Sequence, residues 1–249
     1  MRVLRLFTAL FAALVVGAAG AEAAAVDDAN AAVLAAKDGH YDDAIRLFTD
    51  ALETNEMADR GRAQAFSYRG ISLAAIGNYP AALRDLDSAV ALNSPYQADA
   101  YSYRGFLELS LGRSADGAAD LAKGADLLVW PYNVLWLAIA RAKAGVPDTG
   151  VHSLKNNAAM LDLSRWPGPV LQYYLGGLTS DEVRAAAEMG DPMAKESRVC
   201  DAVFYIGEFD LAHGNAEMAE PSLNRAANDC PYSSFERVGA AAELSHWGK

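Results

Sequence analysis

The sequence is poor in cysteine and histidine, the residues that most often build redox and metal centres. Its 249 residues include two cysteines and four histidines. The cysteines are far apart, so the chain has no Cys-x-x-Cys pair of the kind that lowers a thiol pKa for redox catalysis. No histidine has a second one four positions away, the spacing that a helical zinc motif needs. The sequence therefore predicts no metal site and no cofactor. The histidines are His40, His152, His213 and His246.

Positive charge is also in deficit. The chain has 21 lysines and arginines against 32 aspartates and glutamates, a formal net charge of −11. Because phosphate contacts supply most non-specific affinity for nucleic acid, such an acidic chain is a poor nucleic-acid binder. A basic protein partner is electrostatically permitted, although the net charge does not locate its binding surface.

Long hydrophobic runs are absent except at the start of the chain. Leu6–Ala19 is almost wholly apolar, follows a basic start, and precedes small-residue cleavage patterns. This pattern predicts a secretory signal peptide over residues 1–25, cleaved after Ala23 or Ala25. The run is short for a membrane span of about 20 residues, so a retained anchor is the weaker alternative. No cysteine lies near the cleavage region, and we expect a periplasmic protein that is neither lipidated nor held by a stable membrane span.

What the chain does contain is an internal repeat. The segment FSYRG at 66–70 returns as YSYRG at 101–105, and Gly77 returns as Gly112 with the same period of 35 residues. A fixed period of this length marks stacked helical repeats. No run of strand-like alternation competes with this interpretation, and the high alanine content favours helices.

The residue types in the repeat resemble the tetratricopeptide (TPR) family, whose unit is two antiparallel helices. Gly70 and Ala82 would let the two helices approach closely, and Gly77 would support the turn between them. The resemblance implies an all-α, TPR-type helical-hairpin solenoid with a short non-repeat insert and a C-terminal capping helix. The matching positions are Ala63, Phe66, Gly70, Gly77, Tyr79, Ala82, Leu86, Ala89 and Pro95.

The repeat pattern also predicts how the chain is divided. Trp166-Pro167-Gly168-Pro169 interrupts the hairpins, because proline cannot continue a helix. Helices over 133–144 and 149–161 are expected before this break. The predicted segments are a signal peptide (1–25), a first atypical TPR (26–62), two well-formed TPRs (63–131), a degenerate helical hairpin (132–165), an insert with short helices (166–195), a last TPR (196–232) and a capping helix (233–249).

Three pairs of residues have predicted structural roles. Arg69 precedes Asp85 by 16 residues, and Arg104 precedes Asp120 by the same interval, which places each pair on facing helices of one hairpin. We predict intra-repeat ion pairs; the alternative is that the arginines reach into a binding groove. Cys200 begins the first helix of the last repeat and Cys230 ends the second, and in an antiparallel hairpin these ends lie side by side. In an oxidising compartment we expect a disulfide.

Catalysis is not predicted. The sequence has no phosphate-cradling glycine loop, and Gly70–Ala74 only superficially suggests a nucleophile elbow, which needs a strand-to-helix turn. Here that segment lies within a predicted helix. A cleft that gathers a histidine and two carboxylates from distant repeats would reverse this prediction.

The TPR resemblance also implies a binding surface. In TPR proteins the first helix of each hairpin lines the concave groove, and Phe106 is the best candidate for an aromatic anchor there. The alternative is that Ile71 and Phe106 only pack between neighbouring repeats. The TPR class that clamps a terminal carboxylate uses lysine, asparagine and arginine, which this chain lacks at the matching positions Ala29, Val33, Tyr68, Asp99 and Tyr103. The residues predicted to bind a partner are Gln64, Ser67, Ile71, Asp99, Ser102 and Phe106.

A narrower resemblance covers residues 63–247, including the non-repeat insert. The motifs are similar in order to those of the NlpI family of bacterial envelope TPR proteins, although the lipidated cysteine of that family is missing. The resemblance implies a dimeric, non-catalytic adaptor that links peptidoglycan hydrolases to a protease. A periplasmic sensor or carrier of small molecules is the alternative. The motifs are Pro131-Tyr132, Leu135-Trp136-Leu137, Tyr173-Tyr174-Leu175-Gly176, Phe204-Tyr205-Ile206-Gly207, Phe235-Glu236 and Ala242-Glu243-Leu244.

Overall fold

The fold is all-α throughout the part of the chain that the structure describes. This computed structural model describes residues 21–150, 153–231 and 234–246. These residues form thirteen α-helices and one short 3-10 helix, with no strand among them. The predicted all-α helical-hairpin class is therefore confirmed. Most of the predicted signal peptide lies outside the described residues, so its cleavage stays a prediction. None of the described helices is long and apolar enough to cross a membrane.

The chain divides into two compact units, one ending at Leu107 and the other beginning at Glu108. The first unit consists of two helical hairpins and most of a fifth helix. Its core includes Phe48, which is fully buried and stacks on Tyr68 with 6.3 Å between ring centroids. The helices are α1 (Ala21–Lys37), α2 (Tyr41–Glu53), α3 (Asp59–Ala75), α4 (Tyr79–Ala91) and α5 (Gln97–Ser110), the last of which ends in the second unit.

The second unit is arranged around one long helix, Lys195–Ala212. This helix contacts five other α-helices of the unit as well as the 3-10 helix. The elements are α6 (Ser114–Leu127), α7 (Pro131–Ala144), α8 (Leu154–Ala158), α9 (Gly168–Tyr174), α10 (Ser180–Glu188), the 3-10 helix Pro192–Ala194, α11 (Lys195–Ala212), α12 (Ala216–Asp229) and α13 (Phe235–His246).

Four hairpins close with the same turn. Each turn contains a glycine with a left-handed backbone, at φ values of 81°, 80°, 77° and 78°. Glycine adopts this conformation at little cost, whereas a residue with a Cβ atom is strained there. The residue after each glycine also repeats its geometry, with φ between −82° and −92° and ψ between 59° and 63°. The period read in the sequence is therefore a repeated hairpin geometry. The glycines are Gly39, Gly77, Gly112 and Gly214.

The two helices of a hairpin approach closely at a second glycine. A Cβ atom on Gly70 would lie 3.1 Å from both the carbonyl oxygen of Ala82 and Cγ of Leu86. A Cβ atom on Gly207 would lie 2.9 Å from Cγ of Leu223. The second and last of the predicted repeats thus use glycine for the same purpose.

The segment after α7 differs from its prediction. A helix was expected over 149–161, whereas the structure has the five-residue helix α8. Ser153 begins it by accepting a hydrogen bond from the Asn156 N–H at 3.3 Å, and the Asp148 carboxylate accepts one from the Leu154 N–H at 2.9 Å. These side-chain acceptors satisfy backbone donors in place of a preceding helical turn. In the insert, Thr179 and Glu182 form a capping box at the start of α10.

The two cysteines form a disulfide. Cys200 in α11 and Cys230 after α12 have Cα atoms 5.3 Å apart and an S–S bond of 2.07 Å. The bond joins the two far ends of the α11–α12 hairpin, as the sequence predicts. No free cysteine remains among the described residues.

Removing this disulfide should destabilise the protein. Closure of a loop with a sequence separation of 30 is expected to contribute roughly 3–4 kcal/mol in the chain-entropy model. The double variant Cys200→Ser, Cys230→Ser should therefore unfold at lower urea concentration than the wild type. A reductant should lower the wild-type midpoint toward that of the variant and leave the variant unchanged. Equal midpoints for the oxidised wild type and the variant would contradict the prediction.

Candidate functional site

Helices α3 and α5 of the first unit lie side by side, one repeat apart. Arg60 donates a hydrogen bond from Nε to the Tyr96 hydroxyl at 3.1 Å, and its guanidinium lies 4.9 Å from the Tyr96 ring centroid. Further along, the rings of Tyr68 and Tyr103 are 6.4 Å apart. Both contacts join positions about one period apart, so the two helices run in the same direction. We call the surface between these contacts the polar face; it consists of Arg60, Gln64, Ser67 and Tyr68 on α3, Asp99 and Tyr103 on α5, and Tyr96, which immediately precedes α5.

Gln64 and Asp99 occupy the middle of the polar face. Gln64 is one helical turn from both Arg60 and Tyr68, and Asp99 is about one turn from both Tyr96 and Tyr103. Residues three or four apart share a helix face. The register set by the two outer contacts therefore places Gln64 and Asp99 opposite each other.

Two polar side chains of this face are buried without hydrogen-bond partners. Gln64 and Ser67 are each 3% exposed. Neither the amide oxygen nor the amide nitrogen of Gln64 has a partner, and neither does the Ser67 hydroxyl. A buried polar group left unsatisfied costs roughly 1–3 kcal/mol, and most buried polar groups in proteins are satisfied. The polar face therefore keeps hydrogen-bonding capacity that the described residues do not use.

Asp99 is a partly buried carboxylate with no ion-pair or hydrogen-bond partner within the described parts of the chain. Burial raises its pKa to about 6. Burial and then the charge of Asp99 raise the pKa of Tyr68. Burial, Tyr68 and Asp99, in that order, raise the pKa of Tyr103. Both tyrosines therefore remain protonated hydroxyls at neutral pH, able to donate and accept hydrogen bonds.

The structure places the six residues predicted to bind a partner in different environments. Phe106 is 5% exposed, and Ile71 packs against the core of the first unit. A ring this deeply buried already has its apolar surface removed from water. Phe106 is therefore not available as an exposed anchor for a partner. The packing interpretation is favoured for both residues. Ser102 is partly buried and donates its hydroxyl to the Ala98 carbonyl at 2.8 Å. Gln64, Ser67 and Asp99 all lie on the polar face.

Sequence reasoning missed the part that Arg60, Tyr96 and Tyr103 play in this site. The repetition of the SYRG segment draws attention to Tyr68 and Tyr103 as repeat positions and not as neighbours. The signal that could have found them is the period itself, because residues one repeat apart on first helices come together when hairpins stack.

One of the two predicted ion pairs is present in the first unit. Arg69 bonds both oxygens of Asp85, with Nε–Oδ2 and Nη2–Oδ1 distances of 2.7 and 2.8 Å, and also donates to the Thr49 hydroxyl at 3.0 Å. The Arg69 and Asp85 side chains are 18% and 10% exposed. These contacts tie α3 to α4 and α2, which is a structural role. Arg104 bonds Asp87 at 2.7 Å; the Arg104–Asp120 pair involves residues of both units and stays a prediction.

Loss of the Arg69–Asp85 pair should be costly. Asp85→Asn removes one partner of a largely buried, bidentate pair, and we expect it to reduce the free energy of unfolding by roughly 3–5 kcal/mol. Asp87→Asn is the matched control, because the Asp87 side chain is 62% exposed and an exposed pair contributes about 1 kcal/mol or less. Urea denaturation of both variants tests this, and equal losses would contradict it.

The second unit holds a buried polar cluster of a different kind. Asp201 accepts hydrogen bonds from the Tyr132 hydroxyl and from Trp166 Nε1, both at 2.7 Å. Burial raises its pKa to about 7. Burial and Asp201 raise the pKa of Glu236, which accepts from the Tyr205 hydroxyl at 3.4 Å. These bonds join α7, the segment before α9 and α13 to α11, so the cluster supports the fold.

The same cluster is not a metal site. A ligand atom of each of Cys200, Asp201 and Glu236 lies within 4.8 Å of the other two. The Cys200 sulfur is bonded to Cys230, so it cannot act as a thiolate ligand. A pair of buried carboxyl groups remains, and one of them is occupied by two hydrogen-bond donors.

A cavity of about 400 Å³ lies beside the disulfide in the second unit. Its walls are mixed rather than apolar: Val199 and Val203 accompany five charged side chains. A dry apolar pocket would favour the sensor or carrier alternative. This cavity is not such a pocket. The charged residues are Glu188, Lys195, Glu196, Arg225 and Asp229.

No family model matches the chain. The evidence for the repeat is therefore the four equal turns and the two close glycine contacts, together with the sequence pattern.

The raised pKa of Asp99 predicts a pH-dependent cost to stability. A carboxyl group whose folded-state pKa of about 6 exceeds its unfolded value near 3.9 destabilises the fold as pH rises between these values, and the cost is complete above pH 6. Asp99→Asn should therefore raise the free energy of unfolding by about 2–3 kcal/mol at pH 7.5 and by little at pH 4.

Urea denaturation at both pH values measures this difference. Asp50→Asn is the control, since the Asp50 side chain is 53% exposed and its replacement should change stability by less than about 1 kcal/mol at either pH. A gain for Asp99→Asn that is the same at both pH values would contradict the prediction.

Proposed function

We propose that this protein is a non-catalytic TPR scaffold or adaptor of the bacterial cell envelope. It binds a segment of a partner protein at the polar face of its first unit. The observation that carries the proposal is the set of unused polar groups on adjacent first helices. Gln64 and Ser67 lack partners although they are buried, and Asp99 lies beside them without a counter-charge. A polypeptide segment supplies donors and acceptors that can satisfy such groups.

The chemistry of the polar face supports binding rather than catalysis. Its ionisable groups are one carboxyl, an arginine engaged with Tyr96, and tyrosines. The raised pKa values of Tyr68 and Tyr103 keep these hydroxyls protonated, and a protonated phenol is a poor nucleophile and a poor base. Nucleophilic catalysis needs a nucleophile that is hydrogen-bonded to a base, whereas the Ser67 hydroxyl has no hydrogen-bond partner.

Export and family resemblance support the envelope assignment. The predicted signal peptide would direct export of the chain from the cytoplasm. Disulfides persist mainly in oxidising compartments such as the periplasm. Two of the motifs that resemble the NlpI family pack together in the second unit, where the ring centroids of Trp136 and Phe204 lie 5.0 Å apart. On this resemblance, the partners are peptidoglycan hydrolases and a processing protease, and the adaptor acts as a homodimer.

A steric block beside the polar face tests the proposal. Ser102 on α5 and Ser88 on α4 are both partly buried, and each donates its hydroxyl to the carbonyl four residues earlier, at 2.8 and 2.9 Å. Ser102→Trp and Ser88→Trp are therefore matched variants at the first and second helices of neighbouring hairpins. We expect proteins from the periplasm of the source organism to be retained by the wild type and by Ser88→Trp, and largely lost with Ser102→Trp.

Two results would contradict the proposal. Retention of no protein by the wild type would contradict the adaptor function. Equal retention by both variants would exclude the first-helix surface as the binding site. Thermal unfolding of both variants, measured in parallel, distinguishes a blocked surface from a damaged fold.

A further inference from the structure

We propose that the polar face binds the lysine or arginine side chain of the partner segment, with the Asp99 carboxylate as its anionic contact. The inference deepens the proposed function and rests on it, because it specifies the chemistry of the segment that the scaffold holds. The evidence is the position of Asp99, the commitment of the nearby cations to other partners, and the unused groups around it.

Asp99 lacks the counter-charge that a partly buried carboxylate ordinarily has. Ionised groups removed from water are usually paired or hydrogen-bonded, whereas Asp99 forms no ion pair or hydrogen bond with the described residues. A cation placed against this carboxylate would supply what the fold omits. An anion would meet the same negative charge without compensation.

The cations of the two helices are engaged elsewhere. Arg60 binds Tyr96, Arg62 donates to Asn55 at 3.3 Å, and Arg69 binds Asp85 and Thr49. On α5, Arg104 binds Asp87. None of these contacts involves Asp99, so its carboxylate lacks a counter-charge that another molecule can supply.

The groups beside Asp99 suit the side chain and the backbone of a polypeptide. The Gln64 amide oxygen and the Ser67 hydroxyl can accept hydrogen bonds from an ammonium or guanidinium group. The Gln64 amide nitrogen is a donor without an acceptor, and a backbone carbonyl of the partner supplies one. The rings of Tyr68 and Tyr103 add aromatic surface, which attracts cations. A bare metal ion would leave the amide donor unsatisfied.

The charge of the whole chain acts in the same direction. A formal net charge of −11 attracts basic segments over distances up to the Debye length and repels acidic ones. Charge complementarity of this kind contributes to association rate and to the choice of partner.

A displayed peptide library tests the inference without a known partner. Random linear heptapeptides are selected on the immobilised wild-type protein, on Asp99→Asn and on Asp50→Asn, and selected sequences are resynthesised for fluorescence anisotropy. We expect peptides enriched in lysine or arginine on the wild type and on Asp50→Asn, which matches the charge change of Asp99→Asn away from the polar face. These peptides should bind Asp99→Asn about tenfold more weakly or worse, the loss of one charge-assisted hydrogen bond.

Replacement of the basic residue in a selected peptide gives the reciprocal measurement. A peptide with glutamine at that position should lose most of its affinity for the wild type and little of its remaining affinity for Asp99→Asn. Such coupling is expected for a direct contact between the two charges. Losses that simply add would overturn the assignment of Asp99 as the contact.

The outcomes separate this inference from the function on which it rests. Peptides selected without basic residues, or bound equally by Asp99→Asn, would overturn the cation assignment and leave the peptide-binding scaffold standing. Failure to select any peptide would contradict the proposed function itself. Saturable binding of spermidine, used as a free polyamine probe, together with that failure would replace the polypeptide by a small cation. Unfolding of Asp99→Asn is monitored throughout; removal of an uncompensated carboxylate should leave the variant at least as stable as the wild type at neutral pH.

Discussion

The close contact between paired helices at glycine is the constraint on which the hairpins depend. At Gly70 and Gly207 the facing helix occupies the space that a Cβ atom would need. The same approach brings Arg69 within bidentate reach of Asp85, a contact that needs two helices at a fixed separation and rotation. A hairpin held in this way presents its first helix at a defined angle to the next hairpin. The polar face forms because α5, one period after α3, is held at the same angle.

Two buried polar clusters, one in each unit, differ in how far their groups are satisfied. In the second unit, buried carboxylates are paired or hydrogen-bonded: Asp201 accepts from two donors, and Glu208 bonds Lys143 at 2.9 Å. In the first unit, Gln64, Ser67 and Asp99 remain uncompensated. Satisfied networks support a unique packed state, whereas uncompensated groups lower stability and are tolerated at sites where another molecule completes them. This contrast is why we assign structure to one cluster and binding to the other.

Local sequence patterns predicted the local geometry well. The turn at Gly77 and the Cys200–Cys230 disulfide follow from rules that involve a few neighbouring residues or the two ends of one hairpin. The predicted length of α8 was wrong. An apolar pattern over 149–161 does not reveal that the Asp148 carboxylate accepts a hydrogen bond from the Leu154 N–H in place of a preceding helical turn.

The candidate site was predictable only in outline. The TPR pattern indicated Gln64, Ser67 and Asp99 as groove residues, yet it could not show that two of them are buried and lack partners. That property depends on how closely neighbouring hairpins pack, which no local rule gives. For the same reason Phe106 was expected at a surface and lies in the interior. The buried carboxylates Asp201, Glu208 and Glu236 were not predicted at all, since their partners come from distant parts of the sequence.

One ammonium group in the second unit has a consequence for how the protein opens. Lys143 of α7 donates to Glu208 of α11 and to Glu243 of α13; burial opposes its charge, yet the two carboxylates more than offset this and raise its pKa. If α13 detached, Lys143 would lose Glu243 and would keep only Glu208 as a counter-charge in a buried site. Helix α13 therefore belongs to one cooperative unit with α7 and α11. Its backbone amides should exchange hydrogen with solvent on the timescale of that whole unit.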